Sequence, residues 1–384
     1  MKILFVCNNA FMPGNGLSAS AVNTIKKLRE HGQDARLMAA VNPDPSGPQP
    51  DFPLGHFIFP IFEPLIRANG FCYAKIDREM IGKAVAWADI VHLEEAFPLE
   101  NAARKEAIRQ GKVITGTFHL YPHNVVANLE LGHSRLVNHL LLRYWKRTVF
   151  DYCSHIQCPT EAVRDYLDKN GFKASLHVIS NGLSLPGTPV VTSALSPEDG
   201  VEILCIGRLA REKSQDTLLD AMRYSRHADR IKLTFAGNGQ KAGHYARKAD
   251  KLLKENVLKH RATFAFYNRE ELAKLARKAY LYVHCAWAEV EGLSCLEATR
   301  EGAVPVIGTA ELVGTSTFAL CPESLYPAGD SRELARRIDW WIEHPDERNR
   351  MAQLYADAAR KYDIDKSIDK LIGMFSTALE ESKR

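Results

Sequence analysis

No run of about 18 consecutive apolar residues occurs in the chain, so the sequence contains no candidate membrane-spanning helix. Met1-Lys2 leads directly into "ILFV", which is too short for a secretory signal and lacks a small-residue cleavage site. The eight cysteines show no C-x-x-C spacing, and Cys153 and Cys158 are the nearest pair. Thiols scattered in this way read as reduced and mostly buried, which points to the cytosol. There is no H-E-x-x-H, no clustered Cys/His set and no nucleophile elbow. Asp363 and Asp365 form the only Asp-x-Asp, near the tail, and read as surface charge, so no metal site is expected. A net charge of +4 is too small to signal nucleic acid, and neither a short repeat nor a low-complexity tract is present.

What remains is the composition of an ordinary globular enzyme, 46% hydrophobic and 25% charged, with a length of 384 residues that suggests two or three domains. "KILFVCNN" (2–9) reads as a strand, followed by a glycine-containing loop and a helix from about Leu17 to His31. "ARLMAAV" (35–41), "DIVHL" (89–93) and "KVITGTF" (112–118) read as further strands, the last two separated by helical "LENAARKEAIRQG". Residues 184–200, rich in Ser, Pro and Gly, read as an interdomain linker. The alternation restarts with "VEILCIG" (201–207), "IKLTFAG" (231–237), "YLYVHCA" (280–286) and "AVPVIG" (303–308), with helices near 215–225, 240–255 and 294–301. The expected architecture is α/β, with two doubly wound Rossmann-like domains facing a central cleft. The first spans 1–185, completed by a C-terminal helix over 366–384, and the second 186–365. Ligands in such sheets bind beyond the carboxyl ends of the strands.

Several stretches fall at those ends. In "EVEGLSCLEATREGAVPVIG" (289–308), Gly292 allows a tight turn and Ser294 is expected to open a helix whose free N–H groups face an anion. Ser294 and Glu297 have capping-box spacing, which alone would explain Glu297. It does not explain Glu289, a carboxylate suited to accept hydrogen bonds from sugar hydroxyls. "GRLAREK" (207–213) brings Arg208 and Lys213 off a strand end together, as a diphosphate requires. His119, in "TFHLYPHN", and His92, in "IVHLEE", both end strands and are read as facing one cleft. "PGNGLSA" (13–19) imitates a dinucleotide fingerprint, but four residues, including Pro13, separate Gly14 from the strand and no acidic residue closes the next one. From Leu131 to Phe150 no acidic residue occurs, while Arg135, Arg143, Lys146 and Arg147 are present, and apolar residues from Leu136 to Val149 recur at helical spacing. A core-packed helix with a solvated basic face and a helix resting on an anionic membrane surface are both compatible with this pattern.

Taken in order, "CPTEAVRDYL" with "HVISNG" (158–182), "GRLAREK", "FAGNGQ" (235–240), Glu289–Glu297 with "GAVPVIG", and "AGDSRELARRI" (328–338) resemble the retaining family 4 glycosyltransferases of the GT-B fold. The resemblance implies a nucleotide-diphosphate sugar donor, usually a UDP-sugar, and transfer without metal or other cofactor. Arg208 and Lys213 would hold the diphosphate, Glu289 the sugar hydroxyls and Glu297 the ribose. Gly292, Leu293 and Ser294 would supply backbone N–H groups, Gly16 would close over the donor, and His119 would lie beside the anomeric carbon. Many members carry an aromatic residue where this chain has Glu291. In that respect the sequence is more similar to bacterial transferases that glycosylate diacylglycerol and related lipids, which implies a peripheral enzyme at the inner face of the cell membrane. A soluble or polymer-linked sugar acceptor, and a non-catalytic subunit of the same fold, are the alternatives. Acceptor pockets in such proteins lie in N-terminal loops, here "HFIFPIFEPLIRANGF" (56–71).

Overall fold

The computed structural model of the chain describes residues 1–12, 16–61, 63–68, 71–127, 131–184 and 194–383. It forms two compact α/β units. One comprises Met1–Val126, His133–Gly182 and Ile364–Arg384, and the other Ala127–Gly132 with Leu183–Asp363. The expected boundary at 185–186 lies outside the described residues.

Unit 1 is built on a seven-stranded sheet. Its strands are β1 (Lys2–Val6), β2 (Asp34–Ala40), β3 (Phe52–Leu54), β6 (Ile90–Leu93), β7 (Val113–Thr117), β8 (His155–Cys158) and β9 (Ser175–Val178). β4 (His56–Phe57) and β5 (Tyr73–Ala74) form a separate antiparallel pair. The sheet runs β3-β2-β1-β6-β7-β8-β9, and every pairing is parallel. Central strands of such a sheet are covered on both faces, which is why β1 and β6 read as mostly apolar runs rather than alternating ones. One face packs Ile3, Phe5, Ile25, Leu28, Leu37 and Ile90 against Ile368, Leu371 and Phe375 of the helix Ile364–Glu381. The chain therefore leaves unit 1, builds unit 2 and returns to close the first core. Gly182 makes this return possible. It adopts φ +75°, and a Cβ there would stand 2.6 Å from the Cα of Ile364.

Unit 2 repeats the plan with β10 (Val201–Ile206), β11 (Ile231–Ala236), β12 (Thr263–Ala265), β13 (Leu281–His284), β15 (Val304–Thr309) and β17 (Leu325–Pro327). The order is β12-β11-β10-β13-β15-β17, again all parallel. A short parallel pair, β14 (Ala288–Glu289) with β16 (Leu312–Val313), stands apart from it. Helices begin where their capping residues dictate. Asp330 accepts from the N–H groups of Arg332 and Glu333, and Asn268 and Glu271 form a reciprocal capping box.

In each sheet the chain winds outward from one central strand in both directions. The reversal falls between β1 and β6 in unit 1, and between β10 and β13 in unit 2. Loops leaving those two strands diverge, so a crevice opens at their carboxyl ends.

The buried Arg348 ties unit 2 together. Its guanidinium donates to the carbonyls of Tyr280 (2.9 Å), Ala279 (3.0 Å) and Gly302 (3.0 Å), joining three chain segments. Arg348→Ala should leave these carbonyls without partners at a combined cost of about 3 kcal/mol or more. Arg348→Lys, a point charge without the planar fork, should recover only part of that loss. The check is the unfolding free energy of unit 2 in urea.

Candidate active site

The crevice of unit 2 gathers most of the charged residues singled out in the sequence. Arg208 lies two residues beyond β10, and a single 3-10 turn, Arg211–Lys213, brings Lys213 to the same end of the sheet. Glu289 is the last residue of β14. The Lys213 ammonium donates to Glu289 Oε2, and Arg208 Nη2 donates to Glu212 Oε1 at 2.8 Å. Glu212 is fully buried, and Lys213 and Glu289 are each 18% exposed. Burial alone would raise the Glu289 carboxyl, but the charge and hydrogen bond of Lys213, with the charge of Arg208, outweigh it and hold the group below its ordinary value. Each cation thus arrives at the crevice already held by a carboxylate.

Behind Glu289 lies His284, the last residue of β13. Its Nε2 is 3.7 Å from Glu289 Oε2 and 3.3 Å from Thr315 Oγ1, and its Nδ1 is 3.3 Å from the Tyr282 hydroxyl. Tyr282 in turn bonds Ser294 Oγ at 2.9 Å. The helix here is Leu293–Arg300, with Gly292 as its N-cap at φ +77°. This corrects the capping-box expectation. The helix starts one residue before Ser294, whose hydroxyl is engaged by Tyr282. A side chain at Gly292 has no room, because a Cβ would stand 2.3 Å from Thr315 Oγ1. The early start leaves the N–H groups of Leu293 and Ser294 without partners inside the helix, at the end where the helix dipole is positive. Glu297 lies further along this helix, 3.7 Å from Arg269. Burial raises its carboxyl and Arg269 opposes the rise. Glu291 is buried, and its carbonyl accepts from Thr315 Oγ1 at 3.0 Å.

The crevice of unit 1 carries a second charged group. Glu94 and Glu95 follow β6, and His119 lies two residues beyond β7. His119 Nε2 is 2.5 Å from Glu94 Oε2, and both side chains are almost fully buried. His92 does not share a cleft with His119, as the sequence had suggested. It is fully buried within the sheet, bonded through Nδ1 to Thr115 Oγ1 and through Nε2 to Thr117 Oγ1, each at 2.8 Å. Burial pushes its pKa down to about 4, so it is neutral, and its Nε2 stands 3.5 Å from Glu94 Oε1. Burial also acts on Glu94, but the charge and hydrogen bond of His119 override it and keep the carboxyl below its ordinary value. Beside this group Asn8 Nδ2 donates to Glu95 Oε2 and to Glu100 Oε1, both at 2.9 Å. Burial pushes Glu95 up to about 7 and Glu100 well above its usual range.

Gly16 is the first residue of the helix Gly16–Glu30 in unit 1, while residues 13–15 of the glycine-containing loop lie outside the described residues. The basic stretch forms the helix Arg135–Thr148, capped by Ser134. It buries Asn138, Leu142 and Trp145 and exposes Arg135, Arg143 and Arg147. Lys146 is directed elsewhere, 3.8 Å from Asp151 and over the Phe172 ring. The exposed face also carries Leu136, Leu140 and Tyr144, which are 68%, 54% and 50% exposed.

Two family models divide the chain between them: Glycosyltransferase Family 4 over residues 14–185, and Glycosyl transferases group 1 over 190–356. The chain belongs to the family 4 glycosyltransferases, with the GT-B fold. An alpha-monoglucosyldiacylglycerol synthase from Streptococcus pneumoniae is 24% identical over 231 residues, 57% of this chain and 51% of that protein. The chain thus spans about half the length of this curated relative. The catalytic domain of a cholesterol-alpha-glucosyltransferase from Helicobacter pylori is 37% identical over 42% of this glycosyltransferase and 98% of its own chain, with a TM-score of 0.38. The fold likeness rests on longer matches. Anabaena Alr3699/HepE, solved in complex with UDP and glucose, covers 98% of this chain and 100% of its own at 17% identity and a TM-score of 0.72.

Three residues of this glycosyltransferase's two crevices escaped the sequence reading. Glu94 lay in "IVHLEE" behind the more conspicuous His92. His284 looked like any histidine in an apolar strand. Glu212 lay inside "GRLAREK" among more conspicuous cations.

His284 makes a measurable pH signature. Burial pushes its pKa down to about 4, whereas an unfolded histidine titrates near 6.5. As pH falls between these values the unfolded chain binds a proton that folded unit 2 does not, so stability falls, by up to about 3 kcal/mol from this residue. Glu289, held low, adds to the loss below the ordinary carboxylate range. In unit 1 His92 acts with the same sign but Glu95 opposes it, because a carboxyl raised to about 7 gains stability as pH falls. Hydrogen-exchange protection of residues 281–284, corrected for intrinsic rates, should therefore decline from pH 6.5 to 4.5, and His284→Gln should flatten that decline. An unchanged slope in the variant would place the titrating group elsewhere.

Proposed function

We propose that this glycosyltransferase is a retaining hexosyltransferase that moves glucose or galactose from a UDP-sugar to a membrane lipid, such as diacylglycerol or a ceramide-like lipid, forming an α-glycoside. The observation that carries the donor half is the group of Arg208, Lys213 and Glu289 at the crevice of unit 2, beside the positive end of the helix Leu293–Arg300. A diphosphate leaving group gains negative charge as the glycosidic bond breaks. Preorganised cations and N–H groups aimed at that charge lower the barrier, supplying what a metal ion supplies elsewhere. In this reading Arg208, Lys213 and the N–H groups of Leu293 and Ser294 receive the diphosphate, and Gly292 keeps the approach open. Glu289, fixed by Lys213 and His284, accepts from sugar hydroxyls, Glu297 serves the ribose, Gly16 covers the donor, and His119 meets the substrate at the reacting centre. The complex of Anabaena Alr3699/HepE with UDP and glucose supports this donor class through the shared fold.

The lipid half is supported by the Streptococcus pneumoniae relative's name and by the helix Arg135–Thr148. An outward face that alternates Arg135, Arg143 and Arg147 with Leu136, Leu140 and Tyr144 suits an anionic bilayer surface, where the arginines meet headgroups and the apolar side chains enter the interface. In this reading the enzyme works peripherally at the inner face of the cell membrane.

Two experiments test the reading. Purified protein is incubated with UDP-glucose or UDP-galactose and diacylglycerol vesicles in excess EDTA. A lipid product with an α anomeric coupling is expected, and Lys213→Ala should slow its formation by about 10²–10³-fold. A β product, a metal requirement or normal turnover in the variant would overturn the corresponding part of the mechanism. Transfer only to soluble sugars would replace the lipid acceptor.

The membrane contact is tested separately. Each exposed arginine contributes about 1 kcal/mol of attraction to an anionic surface. Replacing Arg135, Arg143 and Arg147 together by Gln should therefore weaken partitioning onto anionic vesicles about a hundredfold at low salt. Added salt should release the charge-dependent part only, leaving the part due to Leu136, Leu140 and Tyr144. Undiminished flotation of the triple variant would leave this helix without a membrane role.

A further inference from the structure

The Glu94–His119 pair fixes more than a position. An ionised carboxylate only accepts hydrogen bonds, so the 2.5 Å contact between Glu94 Oε2 and His119 Nε2 requires the proton of that contact to sit on Nε2. Glu94 cannot easily swing away. Its other oxygen stands 3.5 Å from His92 Nε2, and His92 is locked by Thr115 and Thr117 at 2.8 Å each. His119 Nδ1 makes no hydrogen bond among the described residues. The ring is pinned from one side and presents the other.

We propose that Glu94 is the positioning residue for His119: it engages Nε2 and so makes Nδ1 the atom that His119 offers to a substrate hydroxyl. Which nitrogen of an imidazole is available is set by the hydrogen bond the other one makes. Here that choice is made by the chain Thr115/Thr117–His92–Glu94–His119, which runs from the interior of the sheet to the crevice at the end of β6 and β7. Nδ1 then acts as a hydrogen-bond acceptor, orienting the hydroxyl so that an oxygen lone pair is available. The assignment to a substrate hydroxyl rests on the transferase reading. The assignment of the ring orientation does not.

The test separates the two. Protein labelled with ¹⁵N in its histidine rings is examined at pH 8, the His119 signals being identified by their loss in His119→Ala. The parent should show His119 protonated at Nε2 and bare at Nδ1. Glu94→Gln, whose amide can donate as well as accept, should show a mixture of the two tautomers. Glu94→Asp, which keeps the charge, should retain the parent pattern and serves as the reference if the Gln variant folds poorly. A parent ring protonated at Nδ1, or a pattern unchanged in Glu94→Gln, would overturn the proposal.

In the transfer assay Glu94→Gln should lower kcat by at least about tenfold with little change in donor KM. The double variant with His119→Ala should be no slower than His119→Ala alone, because Glu94 acts through that ring. Additive losses would overturn the positioning role. Full activity in His119→Ala, with the expected ring spectrum, would remove His119 from the reaction while leaving the Glu94 assignment intact. If the parent transfers no sugar, the ring spectrum alone decides.

Discussion

A carboxylate carried to the end of a buried parallel strand has to be neutralised, and the chemistry of both units follows from how that is done. Desolvation of an unpaired charge costs more than any single hydrogen bond returns, so the fold must surround each acid with partners or let it take up a proton. Glu289 and Glu94 illustrate the first solution. Each has a buried neutral histidine behind it, His284 or His92, and a donor at the crevice in front, Lys213 or His119. Glu95 and Glu100 illustrate the second, sharing Asn8 and shifting upward. Ionised and protonated carboxyls thus stand side by side within a few residues.

The two crevices owe their location to topology rather than to any particular side chain. A sheet that winds outward from one strand in both directions leaves its loops diverging at that strand's carboxyl end, and a residue placed there projects into open space without disturbing the core. This is why short segments such as 207–213 and 94–95 carry charge at the crevices while the strands feeding them are mostly apolar. Gly292 shows how narrow the tolerance is. The turn that presents the Leu293–Arg300 helix terminus passes so close to Thr315 that no side chain fits.

The alternation of strands and helices was legible because central strands such as "KILFV" and "VEILCI" are predominantly apolar runs rich in strand formers. The edge strands were not. Ser175–Val178, Thr263–Ala265 and Leu325–Pro327 are three or four residues long and only partly buried, so their composition differs little from that of loops. Among charged residues, Arg208, Lys213 and Glu289 were recognisable because each follows a strand. His92 and His119 looked alike in sequence, each at a strand end, yet His92 lies inside β6 and in the core, whereas His119 lies two residues past β7 and at the crevice. The helix start at Leu293 was misplaced by one residue because Ser294 has the composition of a cap, whereas the positive φ of Gly292 provides the actual one.

The helix Ile364–Glu381 has a consequence for biosynthesis. Its Ile368, Leu371 and Phe375 complete the core of the unit that contains residue 1, so contacts of very large sequence separation lie in a buried core. Segment 183–363 has its whole sheet in hand before that helix is translated, but the first unit must hold a half-covered apolar face until residues 364–381 emerge. The order of folding therefore inverts the order of synthesis, with the inserted unit maturing first and the flanking one last.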